Sequence, residues 1–258
     1  MNARRVILTG FLMAGLVGMA HGTAQAFPEA ASATVSAVSG QAEWLKGGSE
    51  NWAPVQANQK LSDGDRLRLG SDGSVELALS EGSVQLFPGS EFFIQSLTKD
   101  AQAKRFQYLF GITKGKVSAK VASVPVGSKV QFQTPVSTVT VPETPADPSL
   151  SIAINPDGSV SVTSEDGVVH VLRDTDPKFT LTMEGGEATL VQLDPGTGAV
   201  RVTSVNGTLD VVGPDGKGIT LNTGDSVVFQ GGAATFIAAT PPVDAPVADS
   251  FLEPASAS

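Results

Sequence analysis

Few side chains in this sequence could carry covalent chemistry. The 258 residues include two histidines, His21 and His170, and no cysteine. That inventory excludes Cys-His catalysis, zinc sites built from cysteine and histidine, and disulfides. His21 falls within the first 26 residues, which read as a cleaved leader, so a Ser-His-Asp relay would have to run through His170, and no Gly-x-Ser-x-Gly surrounds any serine. His170 alternates with Val169 and Val171, and its counterpart in a second, similar segment is Asp210. A position that accepts either residue reads as a solvent-facing strand site. Asp63, Asp65 and Asp72 could offer oxygen ligands to calcium, but their spacing is not that of an EF-hand. Aspartate is also common in turns for its own backbone hydrogen bonds, which is the preferred reading. Neither a phosphate-cradling loop nor a dinucleotide fingerprint occurs. The expectation is a non-enzymatic protein with no cofactor and no metal; a carbohydrate-active enzyme using acidic residues is the remote alternative.

Binding chemistry is better represented. Lys114, Lys116, Ser118 and Lys120 alternate with Val117, Ala119 and Val121, and Lys99, Lys104 and Arg105 lie nearby in sequence. Such a strip is either a solvated, aggregation-resistant face or a contact for an anionic protein surface or envelope polymer. Trp44 and Trp52 fall on adjacent predicted strands, where they seal the end of a core or stack a ligand.

These residues sit in an acidic chain with 17 basic and 26 acidic residues, a net charge of −9. Arg4 and Arg5, an uncharged run from Val6 to Ala20 and the Ala24-Gln25-Ala26 site together read as a secretory signal peptide over residues 1–26. Losing those two arginines leaves 15 basic against 26 acidic residues, a net of −11. That balance argues against nucleic-acid binding. The expected location is the periplasm, with no stable membrane insertion after cleavage.

The elements that must position these residues are strands. Leu67/Leu69, Val75/Leu77/Leu79 and Val84/Leu86 form three apolar sets at period two, separated by Gly70–Gly73 and Glu81-Gly82. They predict three short antiparallel strands with one buried face. Phe106, Tyr108 and Phe110 share one face of the next strand, and the lysine strip belongs to the strand after it. Residues 130–141 continue an extended pattern. Pro142–Pro148 breaks the chain, dividing a β domain at 27–145 from a repeat region at 146–239. In the latter, Gly158–Val171 matches Gly198–Val211 at an offset of 40 residues. Each unit predicts a hairpin with Asp166-Gly167 or Asn206-Gly207 at its tip. Leu221–Asp225 weakly echoes Leu61–Asp65. Residues 240–258 form a Pro/Ala-rich tail expected to be disordered. The predicted class is all-β, an elongated antiparallel hairpin stack, β-roll or solenoid, with a β-sandwich as the alternative.

An ordered set of motifs runs through residues 40–144: Gly40, Trp52-x-Pro54-Val55, Leu61-x-x-Gly64-Asp65-x-Leu67-x-x-Gly70 and Val75-x-Leu77-x-Leu79-x-x-Gly82-Ser83. It continues through Leu86, Pro88-x-Ser90, Leu109-x-x-Gly111, Gly115-x-Val117 and Thr134-Pro135-x-x-x-Val139-x-Val141, about two fifths of the chain. In this set the region resembles the FecR domain, the periplasmic domain of iron-uptake signal transducers. Val141-Pro142-Glu143-Thr144 departs from the family's usual Val-x-Gly-Thr ending. The transducers also carry an N-terminal anti-sigma region and a membrane span, where this sequence has a signal peptide. The resemblance therefore implies an all-β, periplasmic, protein-binding or envelope-associated module, without anti-sigma activity; the expected partner is an envelope protein, and the alternative, resting on Lys114, Lys116 and Lys120, is an envelope polymer such as peptidoglycan or an acidic glycan.

Overall fold

The computed structural model describes residues 29–239, and the expected leader (1–26) and tail (240–258) lie outside them. Every regular element among the described residues is a strand. The first region supplies β1 (Glu29–Ala30), β2 (Ala33–Ser39), β3 (Ala42–Leu45), β4 (Trp52–Pro54), β5 (Lys60–Leu61) and β6 (Arg66–Leu69). It continues with β7 (Ser74–Leu79), β8 (Gly82–Leu86), β9 (Glu91–Asp100), β10 (Arg105–Val121), β11 (Lys129–Gln133) and β12 (Thr138–Val141). The repeats supply β13 (Ser149–Ile154), β14 (Val160–Asp166), β15 (Val169–Arg173), β16 (Phe179–Met183) and β17 (Ala188–Leu193). They end with β18 (Val200–Asn206), β19 (Leu209–Val212), β20 (Gly218–Leu221), β21 (Ser226–Gln230) and β22 (Ala233–Ile237).

Backbone pairing sorts these strands into two layers. Layer A runs β4–β3–β6–β9–β10–β11–β12–β15–β16–β19–β20, with β1 on the far end of β9. Layer B runs β5–β2–β7–β8–β10–β13–β14–β17–β18–β21–β22. All neighbours are antiparallel except β10 and β11, which are parallel. β10 belongs to both layers, so the whole is one mixed sheet curled over on itself into a half-barrel. Among the described residues no pairing joins the outer edges β4 and β20 to β5 and β22. One continuous apolar core fills the space between the layers. Phe179 of layer A and Phe229 of layer B stack across it at 5.8 Å.

The lysine strip and the Phe106–Phe110 set lie on this single strand, not on two. Even-numbered residues Phe106, Tyr108, Phe110 and Ile112 are buried in the layer A half, odd-numbered Val117, Ala119 and Val121 in the layer B half. A strand that passes into the opposite layer without reversing must turn its other face to the core. A register shift between Ile112 and Lys114 and a positive φ at Gly115 provide that change of parity.

Changes of layer elsewhere follow one local rule. Leu61–Asp65, Leu86–Ser90, Val124–Ser128, Met183–Glu187 and Leu221–Asp225 each carry the chain from one layer to the other. Each begins on a buried apolar residue and has glycine in fourth place, with φ between +73° and +90°. In each, the fifth residue's N–H donates to the carbonyl three residues back, at 2.8–3.2 Å. This is type II turn geometry, which needs glycine at its third position. The fifth side chain then accepts a backbone N–H from elsewhere: Asp65 from Gly47, Ser90 from Lys116, Ser128 from Phe106, Glu187 from Thr208 and Asp225 from Ala239. The faint echo between Leu61–Asp65 and Leu221–Asp225 is this turn.

Three local expectations are corrected by the pairing. Leu67/Leu69 do not form a meander with the next two sets, because β6 lies in layer A while β7 and β8 form a hairpin in layer B. Asp166-Gly167 and Asn206-Gly207 are not hairpin tips. β14 pairs with β13 and β17, and β15 with β12 and β16, so the glycine turn between them is an arch between layers. Ser164 and Ser204, both buried, close the two arches by donating their hydroxyls to Gly167 O and Gly207 O. The hairpins of the repeats instead turn at 155–159, 174–178, 194–199 and 213–217. Residues 134–137 interrupt the extended run at 130–141: the Thr134 hydroxyl accepts the Ser137 N–H, and β11 and β12 form a hairpin there.

Candidate functional site

The two tryptophans part company in the structure. Trp44 sits opposite Leu67 and packs on the core, with its indole Nε1 buried and lacking a hydrogen-bond partner. Trp52 sits opposite Leu45, on the other face of the same strand pair, and points out of layer A. Period two decides this, since directly paired antiparallel residues share a face.

Around Trp52 the register assembles two parallel rows across the outer face. One runs Glu43, Arg68, Glu91, Lys114 over β3, β6, β9 and β10, so the charge alternates strand by strand. The other runs Trp52, Leu45, Arg66, Phe93, Gly111. Arg68 Nε donates to Glu43 Oε2 at 2.6 Å, and its guanidinium lies 4.2 Å from the Trp52 ring centroid. Arg66 stands 5.9 Å from the Phe93 ring. The Phe93 ring in turn lies over Gly111, where a Cβ would come within 1.9 Å of it. Thr113 donates its hydroxyl to Glu91 at 3.3 Å. Arg66 and Lys114 hold no ion pair among the described residues. Two open grooves, of about 600 Å³ and about 360 Å³, share Arg68 and Glu91 as their common wall. This is a mixed-charge face suited to recognition, because sheet register fixes the order and spacing of its donors and acceptors.

The three lysines of the predicted strip do not make one basic face. Lys114 ends the charge row in layer A. Lys116 and Lys120 lie beyond the parity change on the outer face of layer B, where Lys116 covers the Phe87 ring at 5.1 Å. Lys120 lines a depression with Glu76, Asp147, Glu165 and Asp166, which surround it with the opposite charge. Lys99 is tied to Glu81 at 2.6 Å, and the Tyr108 hydroxyl donates to the other Glu81 oxygen. Burial, reinforced by the Glu81 carboxylate, pushes the Tyr108 phenol far above its ordinary range. The Lys99–Glu81–Tyr108 cluster and the Arg68–Glu91 row were not foreseen, because their members are scattered through the sequence and meet only through register.

The remaining candidates have structural roles. Asp63 accepts the Leu97 N–H at 2.6 Å, Asp72 the Gln41 N–H at 3.3 Å, and Asp65 those of Ser62 and Gly47. Their carboxylates are turn acceptors, and no three acidic or histidine side chains converge among the described residues. His170 stands between Thr140 and Thr182 in an outward row of layer A. Partial burial lowers its pKa below the ordinary histidine value and favours the neutral ring.

Neither a protein-family model nor a curated protein matches this chain. Among solved structures, it is similar to a candidate anti-sigma factor from Parabacteroides distasonis at 15% identity and a TM-score of 0.41. The match covers 54% of this chain and 59% of that one, less than two thirds of the neighbour's length. So loose a superposition carries no argument about fold or role.

Proposed function

We propose that this protein is a non-enzymatic periplasmic interaction module of the FecR-domain kind, which docks a protein partner of the cell envelope on the outer face of layer A. The observation that carries the reading is the row Glu43–Arg68–Glu91–Lys114, flanked by Trp52 and Phe93. A face whose charge alternates from strand to strand rejects a uniformly anionic polymer at Glu43 and Glu91. It favours a protein surface with a matched sequence of charges. Trp52 and Arg68, pre-stacked on each other, are residue types that dominate protein–protein contacts. The secretory leader and the FecR-like residues support the periplasmic setting.

The test uses the purified chain beside Arg68→Glu, Glu91→Arg and a Lys114→Ala/Lys116→Ala/Lys120→Ala variant. Each is presented to detergent-free envelope extract and, in parallel, to sacculi at two salt concentrations. The expected result is a discrete protein held by the wild type, released by Arg68→Glu and Glu91→Arg, and identified again by photo-crosslinking from Thr113. Salt-sensitive sedimentation with sacculi, abolished in the triple-lysine variant and indifferent to Arg68→Glu, would replace this reading with envelope-polymer binding.

A further inference from the structure

Besides the two-residue β1 beside β9, the described residues leave four outer edges, and they are treated unequally. β4 is three residues long and ends in Pro54; β5 is two residues long and carries Lys60. Brevity, proline and lysine are the usual means by which a sheet edge resists adding another strand. In layer A, β20 has glycine at its first position and Lys217 just before it. β22 has none of these protections. All five residues of Ala233-Ala-Thr-Phe-Ile237 are exposed, and among the described residues β22 pairs only with β21. No charged residue occurs from Gln230 to Ala239. Phe236 lies opposite the fully buried Val227, on the core side of layer B, yet is 48% exposed; Ile237 on the outer side is 39% exposed. The cause is a stagger: layer B has begun another hairpin, β21–β22, beyond the point where layer A stops at β20.

We infer that β22 is a homodimerisation edge, pairing antiparallel with β22 of a second copy about a two-fold axis through Thr235. The strand is complementary to itself in that register. Ala233 falls opposite Ile237 of the second copy, Ala234 opposite Phe236, and Thr235 opposite Thr235. On both faces a small side chain meets a large one, and a Thr–Thr pair, favourable across strands, sits on the axis. The two Phe236 side chains flank the axis, each over the other copy's Ala234, and layer B runs unbroken through both molecules. Because each copy is acidic overall while the edge is uncharged, added salt strengthens the association. That is the reverse of the salt response of a charge-matched contact at Arg68, so the two surfaces are separable.

Sedimentation velocity over a wide concentration range provides the test. The purified chain is expected to reach twice the single-chain mass, more completely as salt is added. Thr235→Lys places like charges face to face on the axis and should weaken the dimer on the order of tenfold or more. Thr235→Val keeps the β-branched pair and should leave it intact; unchanged circular dichroism and melting temperature confirm that both variants fold. The chain has no cysteine, so Thr235→Cys gives a clean geometric readout. It should form a covalent dimer on mild oxidation, where Thr220→Cys in layer A does not. A monomer at every concentration, a dimer indifferent to Thr235→Lys, or equal crosslinking at positions 220 and 235 would overturn the proposal.

Discussion

The first region, residues 29–141, and the repeats, residues 149–237, share two layers, one core and one crossing turn, yet they present different outer surfaces. One outward row of layer A starts at Thr140, on the last strand of the first region, and continues through the repeats as His170, Thr182, Asp210 and Thr220. It is dominated by threonine, which suits a pleated surface and offers little else. The corresponding rows of the first region carry Glu43, Arg68, Glu91 and Lys114 beside Trp52, Arg66 and Phe93. The interiors differ as well. Phe110 stacks on Phe92 and Phe132, at 5.3 Å each, in the first region, whereas the repeats are aliphatic apart from Phe179 and Phe229. Inner faces and crossing turns answer to the fold and so stay alike. Outer faces are free, and recognition is to be sought where they depart from threonine.

That contrast can be broken most forcefully at the aromatic stack. Phe110→Ala removes the middle of three stacked rings and should cost about 3–5 kcal/mol, read as a shift of the urea midpoint of the whole chain. Phe229→Ala, with a single stacking partner near the open end, should cost less and raise amide exchange mainly in the last hairpin. Equal and global losses would show that the two interiors are energetically alike.

Next in size is the crossing turn. Asp65→Ala removes the acceptor of two part-buried hydrogen bonds, from the Ser62 and Gly47 amides, and should cost about 1–3 kcal/mol, whereas Asp65→Asn retains one acceptor and costs less. A smaller effect follows from acid. The Ser159 hydroxyl holds the Asp157 carboxyl below its usual range; the Thr197 hydroxyl does so for Asp194, and the N–H groups of Lys217 and Ala239 for Asp215 and Asp225. A carboxylate whose folded pKa is depressed stabilises the fold fully above its unfolded pKa of about 4. It loses that contribution as pH falls through the lower folded value. Protection of the Gly196, Lys217 and Ala239 amides, taken relative to the intrinsic exchange rate at each pH, should therefore fall on acidification from about pH 5 to about pH 2.5. Smallest is the outer face itself. Trp52→Ala and Thr182→Ala should each change stability by less than about 1 kcal/mol, yet only Trp52→Ala should abolish partner capture. Capture lost equally in both would end the distinction between the two surfaces.

Much of this fold was legible in the sequence, for a physical reason. Period-two burial at Leu67/Leu69, Val75/Leu77 and Val84/Leu86 is local information, and all six side chains are buried. Partner choice is not local. An Asp-Gly or Asn-Gly turn requires the same positive φ whether it closes a hairpin or an arch, so Gly167 and Gly207 pointed to a turn without saying between which layers. Better evidence lay in the buried serine three residues earlier, at 164 and 204, and in the Gly-acceptor pair of the crossing turns. The lysine strip alternates as expected, with Lys114, Lys116 and Lys120 exposed and Val117, Ala119 and Val121 buried, but its passage from one layer to the other within β10 left no local mark in the sequence. The charge row was invisible because Glu43, Arg68, Glu91 and Lys114 are neighbours only once four strands are in register.

The strand shared by both layers also bears on how the chain reaches its native state. β10 has four partners, β9 and β11 on one side of the curl and β8 and β13 on the other. The two layers are joined through the middle of one seventeen-residue strand, whose Arg105–Lys114 half pairs in layer A and whose Gly115–Val121 half pairs in layer B, so the assembly of one places the other. Folding should therefore pass through a nucleus centred on this strand, its β8, β9 and β11 contacts lying close in sequence, with the repeats adding hairpin by hairpin afterwards. Substitutions in β10 would then slow folding, whereas those in β18 to β22 would mainly hasten unfolding.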